Sequence, residues 1–163
     1  MDLTLAYQLG PVTLSVADLY WTGHDDDRYF MFNNHSPHRI EVGVSWVVSE
    51  RLPFTLSWYT ILFGAADRNF EGERAYASYF EVAYPFTVKT IDMKAGVGMV
   101  PWNAAATYNC GDRDFYVQNV FLNAGKNWDI KGAGGMKIGL FTNLIWNPAL
   151  DDVNFVGGFS FRM

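Results

Sequence analysis

The sequence predicts an all-β fold: an antiparallel up-and-down β-barrel that spans a membrane with its strands, apolar face outward. Three observations carry this. From His38 to Val48, apolar Ile40, Val42, Val44, Trp46 and Val48 alternate with Arg39, Glu41, Gly43 and Ser45. Successive strand residues point to opposite faces, so such a ribbon has one greasy and one charged side. Similar segments recur along the whole chain at hairpin spacing, with aromatic residues gathered near their ends. Finally, half of the 163 residues are hydrophobic and 17% are aromatic, yet the mean hydropathy is only -0.02. A helical span needs about 20 consecutive apolar residues. The longest uncharged stretch, Ala95 to Gly111, is interrupted by Pro101, Asn103, Thr107 and Asn109. A barrel strand escapes that requirement because only every second residue must be apolar.

Nine strands are expected. Leu3 to Tyr7 opens the series, and the tight connection Gln8 to Pro11 leads to Val12 to Trp21. The polar connection Thr22 to Pro37 precedes Arg39 to Val48, which carries the alternation described above. After Ser49 to Pro53 comes Phe54 to Gly64, apolar on both faces, with Tyr59, Ile61 and Phe63 opposite Leu56, Trp58 and Leu62. Asp67 to Ala75 leads into Tyr76 to Phe86, whose outer face reads Phe80, Val82, Tyr84 and Phe86. Thr87 to Thr90 turns the chain into Ile91 to Trp102, with Ile91, Met93, Ala95, Val97 and Met99 on one side. Gly96 and Gly98 lie inside that strand, where glycine relieves crowding or allows curvature. Phe115 to Ala124 follows the polar stretch Asn103 to Asp114. Met136 to Trp146 presents Met136, Ile138, Leu140, Leu144 and Trp146, and Val153 to Phe161 closes the set. Most segments reach the roughly 9–11 residues of a tilted membrane strand.

Short and long connections alternate, as periplasmic turns and extracellular loops do. The pattern weakens late, because Gly125 to Gly135 is long where a short turn is due, and Asn147 to Asp152 is a short loop. With tight turns on the periplasmic side, the first and ninth strands both run toward the periplasm. Closed bacterial barrels normally have an even strand number. The expectation is therefore one domain over residues 1–163, N-terminally incomplete. It would be the C-terminal eight or nine strands of a barrel of about ten to twelve. The rival is that Leu3 to Tyr7 is a partial strand and the barrel has eight. Met1 is followed by Asp2, Leu3, Thr4 and Leu5, with no basic and no apolar export segment. A removed signal, or a start well inside a longer protein, accounts for that.

The expected inner faces carry Arg39, Glu41, Glu81, Asp92, Lys94, Asn119, Asn123, Lys137, Asn143 and Asn154. Charges of both signs pair across a wet lumen, whereas a dry soluble core seldom tolerates so many. Tyr20, Trp21, Tyr76, Trp102, Tyr116 and Trp146 fall near the outer ends, and Trp46, Tyr84, Phe86 and Phe161 near the inner ends. Amphipathic rings collect at both membrane–water boundaries. Trp58 and Phe80 sit nearer mid-strand. Net charge is -5, so nothing favours nucleic acid.

Candidate chemistry is sparse. The acidic cluster Asp25, Asp26 and Asp27, beside His24 and Arg28, has the oxygen ligands that Ca²⁺ or Mg²⁺ prefer, without the spacing of a calcium loop. Read plainly it is a solvated loop tip. His24, His35 and His38 match no zinc spacing. His35 and Ser36 are neighbours, which in a strand point oppositely, so they make no hydrolase pair. Asp25, Asp26 and His38 share only a loop with the acid–imidazole sets of outer-membrane proteases. No enzyme, cofactor or metal is expected. The single Cys110 excludes an intrachain disulfide framework.

The last strand, Val153-Asn154-Phe155-Val156-Gly157-Gly158-Phe159-Ser160-Phe161, resembles the C-terminal signature of outer-membrane barrels, which the barrel-assembly machinery reads. It departs from that signature by ending Phe161-Arg162-Met163. The run from Arg74-Ala75-Tyr76 through Glu81-Val82-Ala83-Tyr84-Pro85-Phe86 to Ala95-Gly96-Val97-Gly98 resembles porin-like outer-membrane β-barrel proteins of Gram-negative bacteria, Bacteroidetes above all. The resemblance implies a bacterial outer-membrane location, with lipid, lipopolysaccharide and the assembly machinery as partners. It implies no substrate. The expected function is a porin or passive small-solute channel. Arg39, Glu41, Glu81, Asp92, Lys94 and Lys137 would line its lumen, and Thr22 to Pro37 would limit access. The alternatives are a non-transporting structural or surface-binding barrel and a soluble lipocalin-like barrel, which puts its apolar face inside.

Overall fold

A computed structural model describes residues 2–21, 29–30, 36–64, 67–108, 113–130 and 136–162. Nine strands form one sheet: β1 Leu3–Leu9, β2 Val12–Tyr20, β3 His38–Val47, β4 Thr55–Phe63, β5 Ser78–Val88, β6 Ile91–Val100, β7 Tyr116–Asp129, β8 Lys137–Asn147 and β9 Asp152–Arg162. A single helical turn, α1 at Ala105–Tyr108, lies between β6 and β7. Each strand pairs antiparallel with its sequence neighbour, in the order β1 to β9. The fold is thus an all-β up-and-down meander.

Local chemistry sets the turns. Gly10 (φ 57°) and Lys89 (φ 57°) adopt left-handed backbone in the two-residue connections β1–β2 and β5–β6, as tight hairpins demand. Between β8 and β9, Asn147 Oδ1 accepts from the amides of Ala149 (3.0 Å) and Leu150 (3.2 Å). Between β3 and β4, Ser49 Oγ accepts from the Leu52 amide at 3.0 Å.

Strand limits follow the sequence reading closely, with one substantial correction. β7 runs on past Ala124 to Asp129, because Gly125 to Asp129 pair with Phe141 to Lys137. The Ile130 amide then donates to Met136 O at 2.9 Å. The glycine at 125 marks no turn; a partner strand of matching length overrides its weak strand propensity. The turn that looked anomalously long is therefore short. β1 runs two residues past Tyr7, to Leu9, and all seven of its residues pair with β2.

Register sorts the side chains. On one face, Leu5 lies opposite Val16, Val16 opposite Val42, Val44 opposite Trp58, Val82 opposite Val97, and Leu122 opposite Leu144, which faces Phe155. On the other, Glu81 faces Ser57 and Gly98, Gly98 faces Asn119, and Lys94 faces Asn123, which faces Asn143. The apolar face is open: Leu5 is 77% exposed, Phe155 70% and Phe159 69%. Total accessible surface is 10988 Å². A compact globular chain of this mass would expose about 8,200 Å². Among the described residues β1 and β9 pair on one side only, so the sheet is not closed.

The small core lies on the charged face toward the β6–β7 connection. Ile61, Ala77, Val100, Ala104 and Tyr116 form it, with Tyr108 of α1 packed against them. Tyr116 thus belongs to this core and not to an aromatic belt at a membrane boundary, because its partner Val100 faces the same side. Gly96 and Gly98 leave room for rings: a Cβ at Gly98 would collide with Tyr79 and one at Gly96 with Phe121. Tyr59 lies over Gly43 and Phe141 over Gly158 in the same way. Aromatic rings placed against strand glycines fill the missing side-chain volume and let the sheet bend.

Candidate functional site

All six charged residues expected to share a face do so, distributed along its length. Arg39 and Glu41 lie near the start of β3, Glu81 lies mid-strand with Lys94 beside it, and Asp92 and Lys137 lie at the β5–β6 and β7–β8 turns. Lys94 Nζ reaches Glu81 Oε1 at 3.4 Å and sits 5.4 Å from the Phe121 ring centroid. Lys137 pairs with Asp129 at 3.4 Å, but both are largely exposed, so water screens the contact. Thr87 Oγ1 donates to Asp92 Oδ1 at 3.3 Å.

A candidate site lies at the loop end of this face. Two β-bulges shape it, between Ile40 and Glu41 against β4 and between Gly98 and Met99 against β7. A bulge re-aims side chains. The second leaves Gln118 without a cross-strand partner, because Gly98 pairs with Asn119 and Met99 with Val117. Gln118 lines a cavity of about 420 Å³, together with Asn119, Glu41, Trp21, Tyr59, Tyr79 and Tyr108. Among the described residues, no hydrogen-bond partner meets Gln118 Oε1.

Three phenol rings form the floor. Tyr59 and Tyr79 have centroids 6.4 Å apart and planes at 36°; Tyr79 and Tyr108 are also 6.4 Å apart, at 33°. The rings are a row of gently tilted tiles. Asn119 Nδ2 donates to the Tyr79 hydroxyl at 2.7 Å, which donates to Glu81 Oε2 at 3.2 Å. The Tyr59 hydroxyl meets Ser45 Oγ at 3.3 Å. Burial pushes the Tyr108 phenol well above its usual range, reinforced by Glu41, Tyr79 and Asp67 and opposed by Arg39. It therefore stays a neutral donor at any physiological pH.

Behind the cavity, the Arg39 guanidinium stacks on Trp21 at 4.3 Å and is attracted electrostatically by Asp67. Asp67 is fully buried. Its Oδ1 accepts from the Ala77 amide (3.1 Å) and from Thr107 Oγ1 (3.4 Å). That carboxylate thus ties the start of β5 to α1, and α1 holds Tyr108 over the charged face. Arg68 and Arg74 form a β-bridge beyond it, and Asn69 Oδ1 caps the amides of Glu71 and Glu73.

Asp25, Asp26, Asp27, His24, His35 and Cys110 lie outside the described residues. His38 faces the apolar side, since it pairs with Tyr20 and Asp18 lies two residues along. Its Nδ1 is 2.7 Å from Asp18 Oδ1, and its Nε2 meets the Tyr29 carbonyl. His38 is thereby engaged on the opposite face from Glu41, away from the cavity. Sequence reading had Trp21 only as a boundary residue and missed Tyr108, Gln118 and Asp67 as site residues. Tyr59 and Tyr79 share parity with Ser57 and Glu81, a signal that was available. No local pattern announces Gln118, which a bulge turns inward, or Asp67, which a connection buries.

Compared with family profiles, curated proteins and solved structures, the chain gives no match.

Proposed function

We propose that the chain forms the greater part of an outer-membrane β-barrel acting as a porin or passive small-solute channel. One observation carries this: a single register puts Arg39, Glu41, Glu81, Asp92, Lys94 and Lys137 on one face and an open, largely apolar surface on the other. A soluble monomer rarely exposes so large a greasy face, and lipid is the solvent that suits it. Three cations and three anions among those six residues favour a lumen without strong ion preference. β1 and β9 run in the same direction, so an all-antiparallel closure takes an odd number of further strands. This favours about ten to twelve strands, because eight leave an interior filled by side chains. Membrane lipid and lipopolysaccharide would surround the barrel, and the barrel-assembly machinery would insert it.

The non-transporting barrel draws support from the packed core and α1, which narrow the loop end. A lipocalin-like barrel would bring cover to its apolar side, whereas here α1 covers the charged one. Reconstitution in liposomes tests the reading. Leakage of small solutes from the liposomes, and a heat-shifted outer-membrane band heavier than 18.5 kDa, are the expected results. A sealed bilayer with the complete protein would overturn the channel, and a soluble band would overturn the membrane assignment.

A further inference from the structure

We infer that the cavity at the loop end of the charged face docks a neutral sugar ring, the solute class that this lumen retains in passage. The inference rests on the channel reading, whose solute it names. At about 420 Å³ the cavity is of small-ligand size, within the roughly 300–1,000 Å³ common for such sites.

Its lining divides by chemistry. Tyr59, Tyr79 and Tyr108 lie side by side at 33–36° to one another, a broad apolar strip rather than a box. A pyranose has one comparable face: a flat patch of C–H groups with slight positive charge, suited to the negative face of a π-system. Around its edge a sugar carries hydroxyls that both donate and accept. Gln118 and Asn119 each offer an amide with both capacities, and Glu41 adds an acceptor. Gln118 Oε1 has no partner among the described residues, so an incoming hydroxyl would satisfy a group the fold leaves bare. Burial without a partner is costly, and a ligand that repairs it gains accordingly.

Charge discriminates against the alternatives. A quaternary ammonium also favours aromatic faces. Here, however, the Trp21 face is already occupied by the Arg39 guanidinium at 4.3 Å, a fixed positive charge beside the cavity. The tyrosines do not wall a cation on several sides. An anion fares no better, because the lining includes the Glu41 carboxylate, and Arg39 beside it is stacked on Trp21 and drawn toward Asp67. A neutral polyol escapes both penalties.

The test is calorimetric titration of the complete protein, folded in detergent, with glucose, maltose, glycine and choline, alongside conductance in lipid. Saturable binding of glucose or maltose is expected, with no saturation by glycine or choline. Gln118→Leu, which removes one hydrogen-bond partner of near-equal volume, should weaken sugar binding about threefold to tenfold. Tyr108→Leu should weaken it as well, while Glu50→Gln, in the exposed β3–β4 connection, leaves it unchanged. Retention of the heat-shifted band shows that each variant is folded. Absence of sugar binding in a conducting protein, or preference for choline, would overturn the inference and leave the channel standing. Sugar binding without conductance would overturn the channel instead. Unchanged affinity in both site variants places any sugar elsewhere and also sinks the proposal.

Discussion

Leu144 and Asn143 are chain neighbours on opposite faces of β8, so the pair tests whether the apolar face meets lipid. Leu144 lies between Leu122 and Phe155, two residues from the centre of β8, and is 46% exposed. Asn143 lies between Asn123 and Val156 on the charged face. If the apolar face meets lipid, arginine at Leu144 sits near the bilayer midplane, where it costs about 2–4 kcal/mol. If that face meets water, the cost of the charge vanishes, and a half-exposed surface substitution stays within about 0.5 kcal/mol. Lost leucine packing is the same in both cases, and Leu144→Ala measures it. Asn143→Arg adds the same side chain to the polar face and should cost under about 1 kcal/mol, an ordinary surface effect. The assay is reversible urea unfolding in lipid vesicles, followed by tryptophan fluorescence and by the heat-shifted band. The reasoning predicts that Leu144→Arg is less stable than Asn143→Arg by at least about 2 kcal/mol. A difference below about 0.5 kcal/mol would refute the assignment of the apolar face to lipid.

Other consequences are open to measurement. Gly98→Val drives a side chain into Tyr79 and displaces its bonds to Asn119 and Glu81. Overpacking and lost hydrogen bonds together predict a loss of about 2–4 kcal/mol in urea unfolding. Much of this should return in the double variant with Tyr79→Ala, and strict additivity would contradict the close approach. Asp67→Ala strands the Ala77 amide and frees Thr107. It should cost about 1–3 kcal/mol and make the β6–β7 connection a preferred site of limited proteolysis; an unchanged digest would count against the tie. Lys94→Glu replaces the partner of Glu81 with a second carboxylate and changes the charge of this face by two units. Reversal potentials in a salt gradient should shift toward cation preference, and no shift would remove Lys94 from the conduction path. Lys137→Gln should change stability by less than about 0.5 kcal/mol, because its pairing with Asp129 is largely exposed.

Alternation alone determined most of what makes this protein a β-sheet with two dissimilar faces. A period of two leaves only one choice of which residues point together, so the common face of Arg39, Glu41, Glu81, Asp92, Lys94 and Lys137 was legible from the chain. So were the hairpins, because Gly10-Pro11 and Lys89-Thr90 interrupt the alternation at the necessary places. The end of β7 was not legible, since Gly125 signals a turn locally and only pairing with Phe141 contradicts it. Tertiary structure also decided where the cavity forms. Its floor takes Tyr59 from β4, Tyr79 from β5 and Tyr108 from α1, and Gln118 turns inward only because a bulge breaks the register of β6 and β7. Asp67 and Tyr116 acquire their roles from burial by segments distant in sequence. Periodicity reports the direction of a side chain relative to its neighbours. It carries no information about which distant groups arrive opposite it, and that is what makes a face into a site.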